Sequence, residues 1–314
     1  MKKALSLLMA AALSFSIFSG CQKEDKTQVR VGSLKGPTTI GLLNLMDQKK
    51  ENYQFSMQAA ADQLTASFIA GEVDIALVPA NLASVLYNKT EGKANVIDIN
   101  TLGVLYLVTG DESIKSFSDL EGKTVLMTGQ GTTPEYSMRY ILDKSGVKAD
   151  LDFKSEATEI AALLQEDPTQ ISVLPQPFAT ATCLSNDKVK IAGSLGDEWE
   201  ANSGDSKMIT GVTVVRSDFL KEHEGLVKQF ITDHKESAAK AISDLDKTAD
   251  LCVSNDIIAK APLAKKAIPE CNIVCIDGEQ MKKDLSGYLK VLSDFDAKSV
   301  GGKLPGDDFY YIAK

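Results

Sequence analysis

The sequence predicts an α/β protein of two lobes, each a sheet flanked by helices, joined by two strands that cross between them. Three observations carry this. Strand-like and helix-like periodicities alternate along most of the chain, the mark of successive βαβ units. A strand–turn–helix unit built around glycine, Thr-Thr and proline occurs twice, in "SLKGPTT" from Ser33 and in "MTGQGTTP" from Met127. The β-rich stretch from Asn95 to Gly110 is too long for one simple strand and breaks at Thr101 to Gly103, so its second half leaves for another sheet.

At the N-terminus, Lys2 and Lys3 precede an apolar run from Ala4 to Phe18 that ends in Ser19-Gly20-Cys21, a secretory signal rather than a spanning helix. Its end resembles a bacterial lipobox, with Phe18 where the pattern prefers Leu. The resemblance implies cleavage after residue 20 and lipid modification, palmitate included, of Cys21. The polar segment that follows makes 21–28 a tether. No later stretch approaches the roughly 20 apolar residues a spanning helix needs, so the expected location is the extracytoplasmic face of the membrane, held by lipid.

Val29 and Val31 alternate with Arg30 and Gly32 as a strand, and Pro37 sits where a first-turn proline belongs. Ile40, Leu43 and Met46 then recur at helical spacing. Tyr53 onward alternates as a strand, and Leu64 and Phe68 lie four apart on a helix. The continuous apolar run Ile75 to Val78 fits a parallel strand buried on both faces, stopped by Pro79. Beyond the break at Thr101, Val125 to Met127 form a strand, Gly129 to Gly131 a turn, and Tyr136, Tyr140 and Ile141 one helix face. A second βαβ series runs through Val189 to Leu195, then a turn-rich polar connection from Asp197 to Lys207, then a returning strand near 208–215. The remainder reads as helical, with Leu226, Phe230, Ile231 and His234 near one face, ending in a surface tail. The expected division is 29–104 for the first part of lobe one, 105–207 for lobe two, and 208–314 for the return and C-terminal helices.

Composition narrows the function. A net charge of −9 argues against nucleic acid, which requires a basic face. Besides Cys21, only Cys183, Cys252, Cys271 and Cys275 remain, too few for a disulfide scaffold and readable as buried thiols or one disulfide. Cys271 and Cys275 have metal-like spacing, but the two histidines, His223 and His234, lie far away in sequence on a charged helical stretch, so no zinc site is expected. No Ser/His/Asp or Cys/His set is recognisable, and Gly129-Gln130-Gly131 lacks the third glycine of a dinucleotide fingerprint. Neither catalysis nor a cofactor is predicted.

Three segments, "SFIAGEVDIALVPANLASVLYN", "DLEGKTVLMTGQGTTPEYSMRYIL" and "VLPQPFATA", resemble the solute-binding proteins of ABC importers, specifically the group that includes nitrate, sulfonate, taurine and thiamine-pyrimidine-precursor binders. The resemblance runs from about Val29 to the end. It implies the type II periplasmic-binding-protein fold, with a mixed sheet in each lobe and two hinge strands. It further implies a monomer that captures a small organic solute, anionic or heteroaromatic, and partners in a transmembrane permease and an ATPase. Carried over to this chain, the ligand-binding positions are Lys35, Gly36, Pro37 and Thr38 after the first strand, Pro79 and Asn81 after the third, and Thr101 and Leu102 at the crossing. In lobe two they are Gln130, Gly131, Thr132, Thr133 and Gln176. Relatives often carry an acidic residue where Gln176 stands. An enzyme on the same fold and a ligand-sensing subunit are the alternative functions.

Each position has a second reading. Lys35 either balances a ligand anion or is a solvated turn lysine; Thr38, Thr39, Thr132, Thr133 and Asn81 either donate to ligand or cap helices. Gln130, between two glycines, has little core to join and reads as functional. Tyr106, Tyr136 and Phe178 either stack on a planar ligand or pack in the core, and Trp199 faces either the cleft or the outer surface.

Overall fold

The computed structural model describes residues 27–313; the signal segment and Cys21 lie outside the described residues. The chain forms two mixed sheets. In the first half run β1 (Val29–Leu34), α1 (Pro37–Ile40), α2 (Leu43–Asp47), β2 (Tyr53–Gln58), α3 (Ala61–Ile69), β3 (Ile75–Pro79), α4 (Ala80–Lys89), β4 (Ala94–Leu102) and β5 (Leu105–Thr109). Next come β6 (Thr124–Met127), α5 (Thr133–Ser145), β7 (Asp150–Phe153), α6 (Ala157–Glu166), β8 (Ile171–Pro175), α7 (Phe178–Ser185), β9 (Lys190–Ser194) and α8 (Leu195–Asn202). The chain closes with β10 (Ile209–Arg216), α9 (Ser217–Glu222), α10 (Glu224–Ser243), α11 (Leu245–Ser254), α12 (Ala261–Ala267), β11 (Ile273–Ile276) and α13 (Gly278–Phe295).

Sheet one has the order β11-β4-β10-β3-β1-β2, and sheet two β7-β6-β8-β5-β9. β1 is parallel to β2 and β3, and β6 to β7 and β8. In sheet one β10 runs against β3 and β4 and the edge strand β11 against β4; in sheet two β5 runs against β8 and β9. Only Gly103 and Val104 separate β4 from β5, so the chain changes sheets over two residues. The expected apolar strand Ile75–Val78 is indeed buried, as a parallel strand's two covered faces require.

Four expectations are corrected. The first helix is broken into α1 and α2, with Ser237 of α10 inserted between the Gly41 carbonyl, to which it donates (2.6 Å), and Leu45 N, from which it accepts (2.9 Å), the pair that a continuous helical ladder would join. The polar connection after β9 is largely a helix, α8, whose Ser194 cap accepts from Asp197 N. Its Trp199 is fully buried, 4.7 Å from Tyr140 and 4.9 Å from Tyr288 between ring centroids. The C-terminal region is not all helix, since β11 forms an edge of sheet one. Nor does the chain end in a surface tail: Phe309 is buried, and Tyr311 N donates to the Val96 carbonyl at 2.9 Å.

At the crossing, two glycines meet. A Cβ on Gly103 would lie 3.0 Å from Gly196 Cα, tighter than side-chain carbons normally approach backbone. The converse is looser, with a Cβ on Gly196 meeting Ser194 Oγ at 3.5 Å and Gly103 Cα at 3.6 Å. Opposite effects follow. Gly103→Ala should cost about 1–3 kcal/mol through overpacking, whereas Gly196→Ala, inside α8, should be neutral or stabilise by up to about 1 kcal/mol. Urea unfolding of both variants checks this, and equal destabilisation would refute the asymmetry.

Candidate functional site

Each parallel strand hands its chain to a helix at the strand's carboxyl end, and these ends meet across a cleft of about 770 Å³ between the sheets. Sheet one supplies Leu34, Lys35, Pro37 and Thr38 after β1, the start of α3 from Ala59 to Asp62, and Pro79 with Leu82 after β3. Sheet two supplies Thr128 to Thr132 and Pro134 after β6, Lys154 to Thr158 after β7, and Pro175 with Phe178 after β8. Thr210 of β10 and Leu105 of β5 also line it. The walls are mainly aliphatic and proline carbons, while helix starts bring the positive ends of peptide dipoles inward. Three lysines, Lys35, Lys89 and Lys154, stand beside two carboxylates, Asp62 and Glu156. Lys154 already pairs with Asp152 at 3.0 Å.

Among the expected positions, Lys35, Pro37, Thr38, Pro79, Gln130, Gly131 and Thr132 line this cleft. Lys35 and Gln130 are exposed and project from their turns. Gly36 is buried beside them, at φ 146°, a backbone conformation that side chains resist. Gly131 has φ 74° with open space around its Cα, so its strain rather than crowding would oppose a side chain there.

The remaining expected positions are not among the lining residues of this cleft. Asn81 is fully buried; its Nδ2 donates to the Ser299 carbonyl at 2.9 Å, and its Oδ1 accepts from Thr133 Oγ1 at 3.3 Å. Asn81 and Thr133 therefore join α4 to α5 behind the cleft. Thr101 is buried and donates to Asn100 Oδ1 at 2.9 Å, and Leu102 packs into the core beneath the crossing. Gln176 is also fully buried; its Oε1 accepts from Thr180 N at 3.2 Å, while its Nε2 has no partner among the described residues. Of the aromatics, only Phe178 lines the cleft. Tyr106 instead directs its hydroxyl to the Glu270 carbonyl at 3.4 Å, and burial pushes that phenol up to about 12.

The hydroxyls largely serve the protein itself. Thr38 Oγ1 donates to the Leu34 carbonyl at 3.4 Å and Thr132 Oγ1 to the Gly129 carbonyl at 2.7 Å, while the Thr39 hydroxyl donates at 2.5 Å to the Leu34 carbonyl. The second glycine turn is neutralised from within: Glu135 Oε2 accepts from Gly131 N at 2.6 Å, and its Oε1 accepts from Arg139 Nε at 2.7 Å. Thr210 is the residue that sequence reasoning missed. It lines the cleft, and its buried Oγ1 has no partner among the described residues. Nothing in "MITGVTVV" distinguishes it from an ordinary strand threonine, because only the fold turns it towards the opening.

Residues 42–164 match a family model described as "ABC transporter, phosphonate, periplasmic substrate-binding protein". A Brucella abortus protein, described as a candidate binding protein, is 22% identical over 329 aligned positions, covering 100% of this chain and 98% of its own. Among solved structures, an ABC transporter from Parabacteroides distasonis superposes with TM-score 0.76 at 24% identity, covering 92% of this chain and 100% of that one. The periplasmic aliphatic sulphonate-binding protein SsuA of Escherichia coli superposes with TM-score 0.70 at 11% identity, over 91% and 96% of the two chains. The alkanesulfonate-binding protein SsuA of Xanthomonas axonopodis, bound to MOPS, gives 0.68 at 13% identity, over 89% and 95%.

Asn81 separates a structural from a ligand-contacting role. Asn81→Ala should lower stability by about 1–3 kcal/mol in thermal or urea unfolding while leaving ligand affinity of the folded protein near wild type. Lost affinity without lost stability would place Asn81 in the binding surface after all. Residues 42–164 thus match the periplasmic substrate-binding family of ABC transporters, and the chain as a whole shares its fold with the Parabacteroides distasonis and SsuA structures.

Proposed function

We propose that this protein captures a small organic anion with an apolar body, closes around it by hinge motion, and delivers it to an ABC permease driven by its ATPase. The observation that carries the reading is the composition of the cleft: helix starts and three lysines against two carboxylates, Asp62 and Glu156, with mostly aliphatic walls. Such a site suits a ligand with one charged end and a hydrocarbon remainder. Phosphonates, sulfonates and carboxylates share that plan, in keeping with what the matched family and the SsuA proteins are described as binding. Lobe one comprises 29–104 with 208–314, lobe two 105–207, and the ligand contacts both. Closure costs freedom, and contacts made only when both walls engage drive it.

The ligand contacts on this reading are Lys35, Pro37, Thr38, Pro79, Gln130, Gly131 and Thr132, joined by Thr210. Lys35 supplies charge from its turn. Thr210 offers a hydroxyl with no competing partner among the described residues. Removing a hydrogen bond to a charged group costs about 1.5–3 kcal/mol. Lys35 is exposed and screened, so Lys35→Ala should weaken an alkylsulfonate or alkylphosphonate by about ten-fold. Thr210→Val, which keeps the shape, should weaken it several-fold. Isothermal titration with a panel of such anions measures both; unchanged affinity in both variants would move the anion elsewhere.

The chain is further proposed to be a monomer tethered by lipid at Cys21. Among the described residues no helix is long and apolar enough to cross a membrane. Cys21→Ala should therefore shift the protein from the membrane fraction to the soluble fraction. Retention in the membrane after a carbonate wash would dismiss the anchor.

A further inference from the structure

On sheet one, away from the cleft lining, three elements bring together side chains that are remote in sequence. Asp98 of β4 and His234 of α10 are fully buried, and Cys275 of β11 is half-buried beside them. His234 Nδ1 lies 3.1 Å from Asp98 Oδ2 and 4.0 Å from Cys275 Sγ, and the three donor atoms all fall within 4.8 Å of one another. The sequence reading set zinc aside because the histidines lie far from Cys275 along the chain. Pairing of β11 with β4, and packing of α10 over β11, remove that separation for His234.

We propose that Asp98, His234 and Cys275 form a divalent-metal site, suited to Zn(II), with water completing the coordination from the Cys275 side. Zinc bonds of about 2.0–2.3 Å in tetrahedral geometry set donor atoms roughly 3.3–3.7 Å apart, and the observed separations from Nδ1 bracket that interval. The donors are the nitrogen, oxygen and sulfur types that zinc accepts together. One carboxylate and one thiolate cancel the charge of a divalent ion, the least costly condition for holding it in a core. An outer layer is present as well. Asp98 Oδ1 accepts from Thr213 Oγ1 at 2.7 Å, and Thr213 Oγ1 accepts from Asn100 Nδ2 at 3.2 Å, which orients the carboxylate. Cys275, the one partly accessible member, gives the ion a way in.

The same geometry disfavours a nucleophilic relay. Asp98 and Cys275 both address Nδ1, whereas a relay places the acid and the nucleophile on opposite ring nitrogens, and His234 Nε2 has no partner among the described residues. Burial, with the Asp98 charge adjacent, pushes the Cys275 thiol well up from its ordinary value, and a bound cation reverses that preference.

The test uses the full-length protein in detergent, stripped with chelator and titrated with Co(II) as a spectroscopic stand-in. One equivalent should bind, with tetrahedral visible bands and a thiolate-to-cobalt charge-transfer band in the near ultraviolet. Cys275→Ser should abolish that band and weaken binding by at least about ten-fold, while Cys252→Ser leaves both intact. Zn(II) should displace the cobalt and raise Tm. Absence of stoichiometric binding, or a charge-transfer band that survives Cys275→Ser, would overturn the site and leave the Asp98–His234 pair as a plain tie between sheet and helix. Because Cys275 lies off the helix core, the serine variant keeps the test open even if His234→Gln fails to fold.

Discussion

A parallel strand must pass its chain to a helix at its carboxyl end, and the arrangement of this molecule depends on that constraint. The helices after β1, β3, β6, β7 and β8 all begin where those strands stop, so two sheets facing each other bring their helix starts together. The cleft is not an indentation added to a finished fold. It is the place where strands run out and peptide dipoles converge, before any side chain is chosen.

What keeps the two edges opposed is the pair of strands next to the crossings, β5 and β10. β5 enters sheet two only two residues after β4 leaves sheet one, too short a link for a helical crossover, and accordingly runs antiparallel to its new neighbours. The return passes through α8, whose Gly196 faces Gly103 at the first crossing. Above this contact Trp199, Tyr140, Tyr288 and Phe295 pack ring to ring and tie α8 and α5 to α13, which also lies against β4. Bare glycine backbone at the crossing and large rings beside it leave motion to the glycines and stiffness to the aromatics.

Sequence made the alternation of elements plain because buried parallel strands such as Ile75–Val78 leave a continuous apolar run and amphipathic helices leave a period. It also located the change of sheet at Thr101 to Gly103. It overlooked α8, whose residues read as polar turn because its buried face is only Leu195 and Trp199, and Leu195 closes the preceding apolar run. β11 escaped for a related reason: four edge residues cannot show an alternation. Within the cleft, turns could be named but side-chain directions could not. Asn81 and Thr133 occupy helix starts just as Lys35 and Thr132 neighbour them, yet they bond each other, and no local pattern encodes a partner fifty-two positions away. Thr210 and His234 were invisible as special residues for the same reason, since burial and partners there come from other parts of the chain.

The two glycine turns look equivalent as text and are not equivalent as chemistry. After β6, the amide of Gly131 already has an anion, the Glu135 carboxylate, which is itself held by Arg139. After β1, the turn carries Lys35 and no acidic side chain follows within α1. On the proposed reading, a ligand anion approaching the turn after β6 would have to displace an internal hydrogen bond, whereas at lobe one it would meet the exposed ammonium of Lys35 and the hydroxyl of Thr210, which has no partner among the described residues. In that proposal Lys35 of lobe one holds the charged end, while apolar side chains of both walls, Ile69 and Leu82 of lobe one and Pro134, Ala157, Pro175 and Phe178 of lobe two, cover the hydrocarbon remainder. An open protein would then hold the charged end at lobe one first, and the apolar burial that needs both walls, a non-directional hydrophobic term, would be gained only on closure.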